Sequence, residues 1–135
     1  SRAALLAATL SAPVDALLRR AQAEDLAAAV ALDCCATAAV EAVCDLAEAE
    51  IRVRFPGCSF PFRFSPGYGD FPLECQKQIA PALELGKRIG VTLTDSLLMA
   101  PSKSVTAVIG VSRLPRNCTV QGCEVCAKRD CAYRR

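Results

Sequence analysis

The 135-residue sequence contains no histidine and no tryptophan, and its aromatic residues amount to only 5%. Without histidine, the chain cannot use an imidazole general base, a serine–histidine triad or a histidine-containing zinc site. The scarcity of aromatic side chains argues against a stacking platform for single-stranded nucleic acid. We therefore expect no nucleic-acid partner.

The sequence also lacks a large net charge, since the whole chain carries only +2. That value hides an asymmetry, because the residues from Arg113 onward carry +4 and the preceding residues carry −2. A basic end of this kind can meet nucleic acid, an acidic partner or only solvent. The charge pattern alone leaves these three alternatives open.

No segment is expected to reach the length of a transmembrane helix. The apolar stretch at residues 3–10 is short and has only Arg2 as a basic leader, so we do not interpret it as a signal peptide. We expect a cytoplasmic protein with no membrane partner. In a reducing cytoplasm, the nine cysteines are expected to be thiols or metal ligands rather than disulfides.

Hydrophobic residues make up 53% of the chain, and many of them are alanine, which favours a helix-rich core. Residues 3–10 are predicted to form a strand, and a helix is predicted to begin at Ser11 or Ala12 with Pro13 in its first turn. Residues 25–52 contain neither glycine nor proline and are predicted to form one long helix. Its core face is predicted from apolar residues at helical spacing, namely Leu26, Val30, Cys34, Thr37, Val40, Cys44, Ala47 and Ile51.

The second half of the chain is predicted to alternate shorter elements. Pro81 is expected to split one region into two helical pieces, roughly 72–79 and 80–88. Residues 91–100 and 105–112 are predicted to be strands of a β-hairpin whose turn is 101–104. The predicted fold class is α+β, with a long alanine-rich helix and shorter helices packed on a small, mainly antiparallel sheet and a cysteine-rich C-terminal tail.

Residues 55–71 form a segment rich in proline and glycine that also contains phenylalanines and Tyr68, which is typical of an ordered loop rather than a flexible linker. Gly67 and Gly69 allow a ligand to approach the backbone closely. Arg63 can hold a carboxylate through two parallel hydrogen bonds, and Tyr68 offers an aromatic face and a hydroxyl. These residues indicate either a site for a small molecule with a carboxylate or a proline-stiffened turn that fills the core.

Three segments carry a family resemblance: RFSPGYGDFPLE at 63–74, RIGVTLTDS at 88–96 and MAPSKSVTA at 99–107. Taken in this order, they resemble the activation domain of vitamin B12-dependent methionine synthase. That family has an R-x-x-x-G-Y loop, then a helix, a glycine followed by L-T-D-S or L-T-E-S, and a P-x-x-S-V turn into a strand. The resemblance covers roughly residues 20–112, and it implies an α+β fold that binds S-adenosylmethionine.

The resemblance also implies roles for individual residues. Arg63 matches the arginine that holds the methionine carboxylate, Ser65 matches a backbone contact, and Tyr68 lies beside the ligand, with Gly67 in the same loop. Glu41 in the long helix matches a ligand-contacting glutamate, although from the residues alone it could equally be a solvated edge residue. The implied function is an accessory protein for reductive methylation and reactivation of a cobalamin-dependent methionine synthase, as a component of that methyltransferase activity without catalysis of its own.

The partners implied are a cobalamin-binding methionine synthase or another corrinoid protein, which carries the cobalamin, and an electron-donor protein. We expect residues 1–112 to be the activation-like domain, with an N-terminal truncation as an open alternative, and 113–135 to be a basic, cysteine-rich tail. The family's N-terminal aspartate is not found here, and residues 113–117 replace its tyrosine pair. Another chain is therefore one candidate to complete the pocket.

Four cysteines in the tail have the spacing C-x4-C-x2-C-x4-C, namely Cys118, Cys123, Cys126 and Cys131. Four thiolates can bind zinc or an iron–sulfur cluster, while disulfides or inert thiols are the alternatives. A rival function is therefore a small metal- or iron–sulfur-binding redox protein in which the loop is only structural. Of the other cysteines, Cys34 and Cys44 are expected in the core, and Cys35 is expected to point elsewhere.

Overall fold

The structure, a computed structural model, describes residues 2–113 and confirms the predicted α+β class. Its strands are β1 (Arg2–Thr9), β2 (Thr92–Leu93), β3 (Met99–Ala100) and β4 (Ser104–Val111). Its helices are α1 (Ser11–Glu24), α2 (Leu26–Arg54), α3 (Gln76–Ala82) and α4 (Leu85–Ile89), with a 3-10 turn at Leu73–Cys75. The predicted tail at 113–135 and its cysteines lie, apart from Arg113, outside the described residues.

The main sheet pairs β1 with β4 in antiparallel register, from Arg2 opposite Val111 to Thr9 opposite Ser104. In β1 the buried residues Leu6 and Ala8 alternate with more exposed ones, whereas β4 is buried on both faces, since the neighbours Thr106 and Ala107 are both buried. Leu6 and Ala8 of β1 form the core cluster with Ala107 and Ile109 of β4 and with Cys44 of α2. The sheet therefore packs against the second half of α2.

The long helix α2 begins and ends close to its predicted bounds. Asp25 is its N-cap, and its Oδ1 accepts hydrogen bonds from the backbone N–H groups of Ala27 at 2.9 Å and Ala28 at 3.2 Å. The helix then continues to Arg54 because neither glycine nor proline interrupts it. The predicted start of α1 at Ser11, with Pro13 in the first turn, is also confirmed.

The predicted core face of α2 is right for its second half and wrong for its first. Val40 and Cys44 are buried, whereas Leu26 and Val30 are 71% and 59% exposed. Cys34 was expected in the core and is exposed. The first half of α2 instead buries alanines, Ala29 and Ala36. The core cluster beneath the sheet takes only Cys44, Ala47 and Ile51 from α2, so within residues 2–113 the larger side chains of its first half lie outside that cluster.

Pro81 does not divide the helical region at 72–89 as predicted. It lies inside α3, and the break comes three residues later, where Glu84 takes a left-handed backbone with φ 50°. Glu84 is also the N-cap residue of α4. Pro81 is the sixth residue of the seven-residue α3, so its missing N–H removes one i→i−4 hydrogen bond, and the helix ends one residue later.

The predicted hairpin between 91–100 and 105–112 is wrong. The first segment folds back on itself as the short antiparallel pair β2 and β3, while β4 pairs with β1. Leu97, with φ 64°, makes the turn between β2 and β3, and the Ala100–Pro101 bond is cis. The β-branched residues of β4 therefore meet the apolar N-terminal strand, which is far away in sequence.

By length and composition, α2 could cross a membrane, so the expectation that no segment reaches that length is wrong. This is weak evidence for a membrane span, since a core helix of a soluble protein passes the same test. In the described structure, α2 contacts α1, β1 and β4, and its second half carries a row of ionic side chains.

Candidate functional site

A cavity of about 770 Å³ opens between the second half of α2, the loop at 55–71, and strands β3 and β4. This size is within the range of small-molecule sites. Its lining is divided between ionic, neutral polar and apolar side chains, namely Glu41, Asp45, Glu48, Arg52, Phe60, Phe62, Arg63, Phe64, Ser65, Pro66, Tyr68, Gln76, Met99, Ser104, Val105 and Thr106.

The loop at 55–71 is held to the sheet by backbone hydrogen bonds. Phe64 forms an antiparallel bridge with Val108 of β4, with N···O distances of 2.9 and 2.8 Å in the two directions. A second bridge joins Ser59 to Ser112. Because Arg63 precedes the bridged Phe64, the sheet fixes where Arg63 enters the cavity. The prediction that this segment is an ordered loop is confirmed.

Arg63 is the centre of a cluster of carboxylates on α2. Its Nη2 lies 2.6 Å from Glu41 Oε2, and its Nη1 lies 2.5 Å from Asp45 Oδ1 and 3.2 Å from Glu48 Oε2. The three acids are spaced at i, i+4 and i+7, so they lie on one face of the helix. We call these three residues the acidic row.

The guanidinium of Arg63 is held by its ion pairs to the acidic row, but these do not use all of its N–H donors. Burial lowers its pKa, but the hydrogen bonds from Glu41 and Asp45 outweigh that effect and raise the pKa above its ordinary value. A guanidinium has five N–H donors. The three bonds to the acidic row use two on Nη1 and one on Nη2, so one Nη2 donor and Nε–H have no partner among residues 2–113. Two donors therefore remain for a ligand carboxylate.

Glu48 links two cations on opposite sides of its carboxylate. Its Oε2 faces Arg63, while its Oε1 accepts from Arg52 Nη2 at 2.6 Å. Arg52 also lies over the ring of Phe60, 4.8 Å from its centroid. With three acids and two arginines, the lining has a net charge of −1. The site is thus mixed in charge, with a small excess of negative charge.

Four of the five predicted ligand-binding residues line this cavity together: Arg63, Ser65, Tyr68 and Glu41. Tyr68 is 69% exposed, so its ring is available at the cavity edge. Gly67 is not part of the lining. With φ 91° it supports the loop turn, in which its N–H donates to the carbonyl of Phe71 at 2.8 Å. The binding roles of all five stay predictions.

Several lining residues escaped the sequence interpretation. The spacing of Asp45 and Glu48 after Glu41 was a readable signal, because helical periodicity puts them on one face. Gln76 and Thr106 carried no local signal. They meet in the folded chain, where Thr106 of β4 bonds to Gln76 at the start of α3, 30 residues earlier in the sequence.

The predicted metal ligands Cys118, Cys123, Cys126 and Cys131 lie outside the described residues. Within residues 2–113, no group of three or more histidine, cysteine, aspartate or glutamate side chains is arranged to hold a metal ion. Cys44 is fully buried, and burial raises the pKa of its thiol, which suits a core residue. Cys35 is exposed and Cys58 and Cys75 are half-buried.

Comparison with known proteins assigns the chain to a family. No curated protein sequence matches the chain. The family model described as the vitamin B12-dependent methionine synthase activation domain matches residues 5–134, which is nearly the whole chain. The resemblance noted in three separate segments is therefore confirmed, and this chain belongs to the vitamin B12-dependent methionine synthase activation domain family.

Proposed function

We propose that the chain binds S-adenosylmethionine in the cavity around Arg63 and, as an accessory protein, supports reductive reactivation of a cobalamin-dependent methionine synthase. The observation that carries the proposal is the position of Arg63. It is fixed by three carboxylates, keeps two N–H donors free among the described residues, and lies on a cavity large enough for a nucleoside-sized ligand. Family membership makes a role in reactivation the natural context for such a site.

The residues present fit the charges of this ligand. S-adenosylmethionine carries a carboxylate, an ammonium and a sulfonium. The two remaining donors of Arg63 suit the carboxylate. The exposed carboxylates of Glu41 and Asp45 suit the two cationic groups. Tyr68, exposed at the cavity edge, offers an aromatic face to a sulfonium or to an adenine.

The contribution of the chain to the reaction is orientation. S-adenosylmethionine would supply the methyl group that traps the reduced cobalt of a corrinoid carried by the partner. The chain would hold the amino-acid half of the ligand and leave the opposite side of the cavity mouth open to the partner. Methyl transfer from a sulfonium to reduced cobalt needs no proton transfer, which is compatible with the lack of histidine.

The remaining parts of the proposal concern organisation. Residues 1–112 would form the activation-like domain and 113–135 a tail in which four cysteines bind zinc or an iron–sulfur cluster. A cluster would allow the tail to pass an electron toward the corrinoid. The protein would act in the cytoplasm, where thiols stay reduced. Metal analysis and an absorption spectrum of anaerobically purified full-length protein would distinguish zinc, a cluster and unligated thiols.

Two measurements test the function. Titration calorimetry of the full-length chain with S-adenosylmethionine should give a saturable, one-site isotherm. Addition of the chain to a cobalamin-dependent methionine synthase in the cob(II)alamin state, with a reductant and S-adenosylmethionine, should increase the rate at which methylcobalamin forms. Lack of binding would refute the ligand assignment, and binding without faster methylcobalamin formation would refute the accessory role.

A further inference from the structure

The floor of the cavity is built from neutral polar side chains that are almost fully buried. Gln76, the first residue of α3, is 3% exposed, and Thr106 of β4 is 1% exposed. Ser104, two residues earlier on the same face of β4, is 9% exposed. These three are the buried polar residues of the described chain, and all of them line the cavity. The rim of the cavity is instead ionic and exposed, since the side chains of Glu41 and Asp45 are 52% and 71% exposed.

The amide of Gln76 is held from one end. The hydroxyl Oγ1 of Thr106 donates to Gln76 Oε1 at 2.9 Å, which fixes the side-chain amide with its Nε2 turned away from that bond. Nε2 carries two donors, and neither has a partner within residues 2–113. No buried side-chain nitrogen or oxygen of the described residues lacks a partner, so Nε2 keeps some solvent exposure, and Gln76 is one of the residues that line the cavity. A buried side chain thus presents an unused donor to the space where a ligand would lie.

The division between floor and rim matches the two halves of the proposed ligand. The amino-acid half of S-adenosylmethionine is ionic, and the nucleoside half is neutral with several hydrogen-bond acceptors on the ribose and adenine. Ionic groups are satisfied at the rim by Arg63 and the acidic row. A buried neutral donor is suited to a neutral acceptor, because it adds no charge that would have to be desolvated.

We propose that Gln76 is a specificity-determining residue that donates from Nε2 to an acceptor on the nucleoside half of the ligand, and that Thr106 is the positioning residue that orients its amide. This inference rests on the proposed function and extends it by giving the ligand a direction, with the amino-acid half at the rim and the nucleoside on the floor. A site that binds the nucleoside through one fixed hydrogen-bond donor discriminates against analogues that lack the matching acceptor.

Two probes separate the halves of the ligand. S-adenosylmethionine contains both halves, whereas 5′-methylthioadenosine contains the nucleoside without the amino-acid carboxylate and ammonium. Gln76→Leu removes the donor, and Gln76→Glu keeps the shape and the bond from Thr106 but replaces the donor with an acceptor. The loss of one neutral hydrogen bond should weaken the binding of both probes by about 2- to 12-fold. Arg63→Ala should weaken S-adenosylmethionine more than methylthioadenosine.

Control variants separate ligand contact from structural damage. Gln78 is an exposed glutamine on the same helix and does not line the cavity, so Gln78→Leu and Gln78→Glu are the matched controls. Thr106→Val should weaken both probes because the amide is no longer oriented, and Thr106→Ser should restore the affinity. A purely structural role of Thr106 would instead follow side-chain volume, so that Val would serve better than Ser.

The outcomes distinguish the inference from the function on which it rests. If the wild-type chain does not bind S-adenosylmethionine, the proposed function fails and the role of Gln76 fails with it. If the wild type binds, but folded Gln76→Leu and Gln76→Glu proteins bind both probes as tightly as wild type, only the role of Gln76 is overturned. Weaker binding of S-adenosylmethionine with unchanged methylthioadenosine affinity would also overturn it, because the floor would then not hold the nucleoside.

Discussion

Replacement of Arg63 by alanine is the most informative perturbation of this site, because one side chain has both a structural and a proposed binding role. In the folded chain its guanidinium, only 20% exposed, offsets three carboxylates that come from α2. Without it, the acidic row would keep three like charges at helical spacing, which repel one another. We therefore expect Arg63→Ala to lower both the stability of the fold and the affinity for S-adenosylmethionine.

The two magnitudes follow from different contacts. For stability, Glu41 and Asp45 are exposed and contribute little, whereas Glu48 is 14% exposed and contributes more. We expect a loss of about 1–2 kcal/mol in the free energy of unfolding, or a decrease of roughly 3–8 °C in Tm. For affinity, loss of a two-donor contact to a carboxylate should cost about 1.5–3 kcal/mol, or roughly a 10- to 150-fold higher Kd.

The assay is titration calorimetry with S-adenosylmethionine at a temperature where both proteins are folded, together with thermal unfolding. Arg20→Ala is the matched control. It makes the same change in net charge and removes an ion pair to Glu24 at 3.1 Å, but its side chain is 74% exposed and does not line the cavity. A folded Arg63→Ala protein with unchanged Kd would refute the ligand role. Equal losses in both variants would show that only net charge matters.

Three further predictions concern other parts of the molecule. Cys44 is fully buried and its thiol pKa is raised, so it should resist alkylation in the native protein while exposed Cys34 reacts. Mass spectrometry would map the labelled cysteines, and rapid labelling of Cys44 would contradict its core position. Burial alone would raise the pKa of Asp15, but the backbone and hydroxyl hydrogen bonds from Ser102 outweigh it and lower the pKa. The stability that Asp15 contributes is therefore complete above its unfolded pKa of about 3.9, and it is lost as the pH falls through the lower pKa of the folded state. Asp15→Asn should make acid unfolding less steep, and an unchanged acid transition would contradict this. S-adenosylhomocysteine, which lacks the sulfonium charge, should bind less tightly than S-adenosylmethionine to a lining of net charge −1, and the difference should shrink with added salt; equal affinities at low salt would contradict this.

The elements predicted well from the sequence are those whose signals are local. The helix α2 could be placed within two residues because Asp25 caps it and no glycine or proline interrupts it. The strand β1 and the start of α1 were likewise marked by an apolar run and by Pro13. In each case the residues that define the element are neighbours in the chain.

The predictions that failed depend on partners distant in sequence. The strand at β4 was assigned to the nearest apolar segment, but Leu6 lies opposite Ala107, a hundred residues away. The exposure of Cys34 has the same origin, because helical spacing defines a face of α2 but not how far along the helix the sheet extends. Local periodicity contains neither kind of information.

In the candidate site, too, the residues with a local sequence signal could be predicted and those that depend on distant contacts could not. Arg63 and Glu41 could be named from motif resemblance, and the structure joins them at 2.6 Å, although they are 22 residues apart. Asp45 and Glu48 could have been named from helical spacing. The pair formed by Gln76 and Thr106 could not, because its two members come from α3 and from β4 and their contact exists only in the assembled fold.

The two halves of the site are nevertheless coupled through one element. Strand β4 carries Thr106 to the floor, and two residues later Val108 forms the backbone bridge to Phe64 that sets the position of Arg63 at the rim. The rim and the floor are therefore aligned by a single strand, and that strand is held by its pairing with β1. A change that shifts the β1–β4 register by one residue would turn Thr106 away from Gln76 and move the loop at the same time. It follows that affinity for both halves of a ligand should depend on the N-terminal strand, although no residue of β1 lines the cavity.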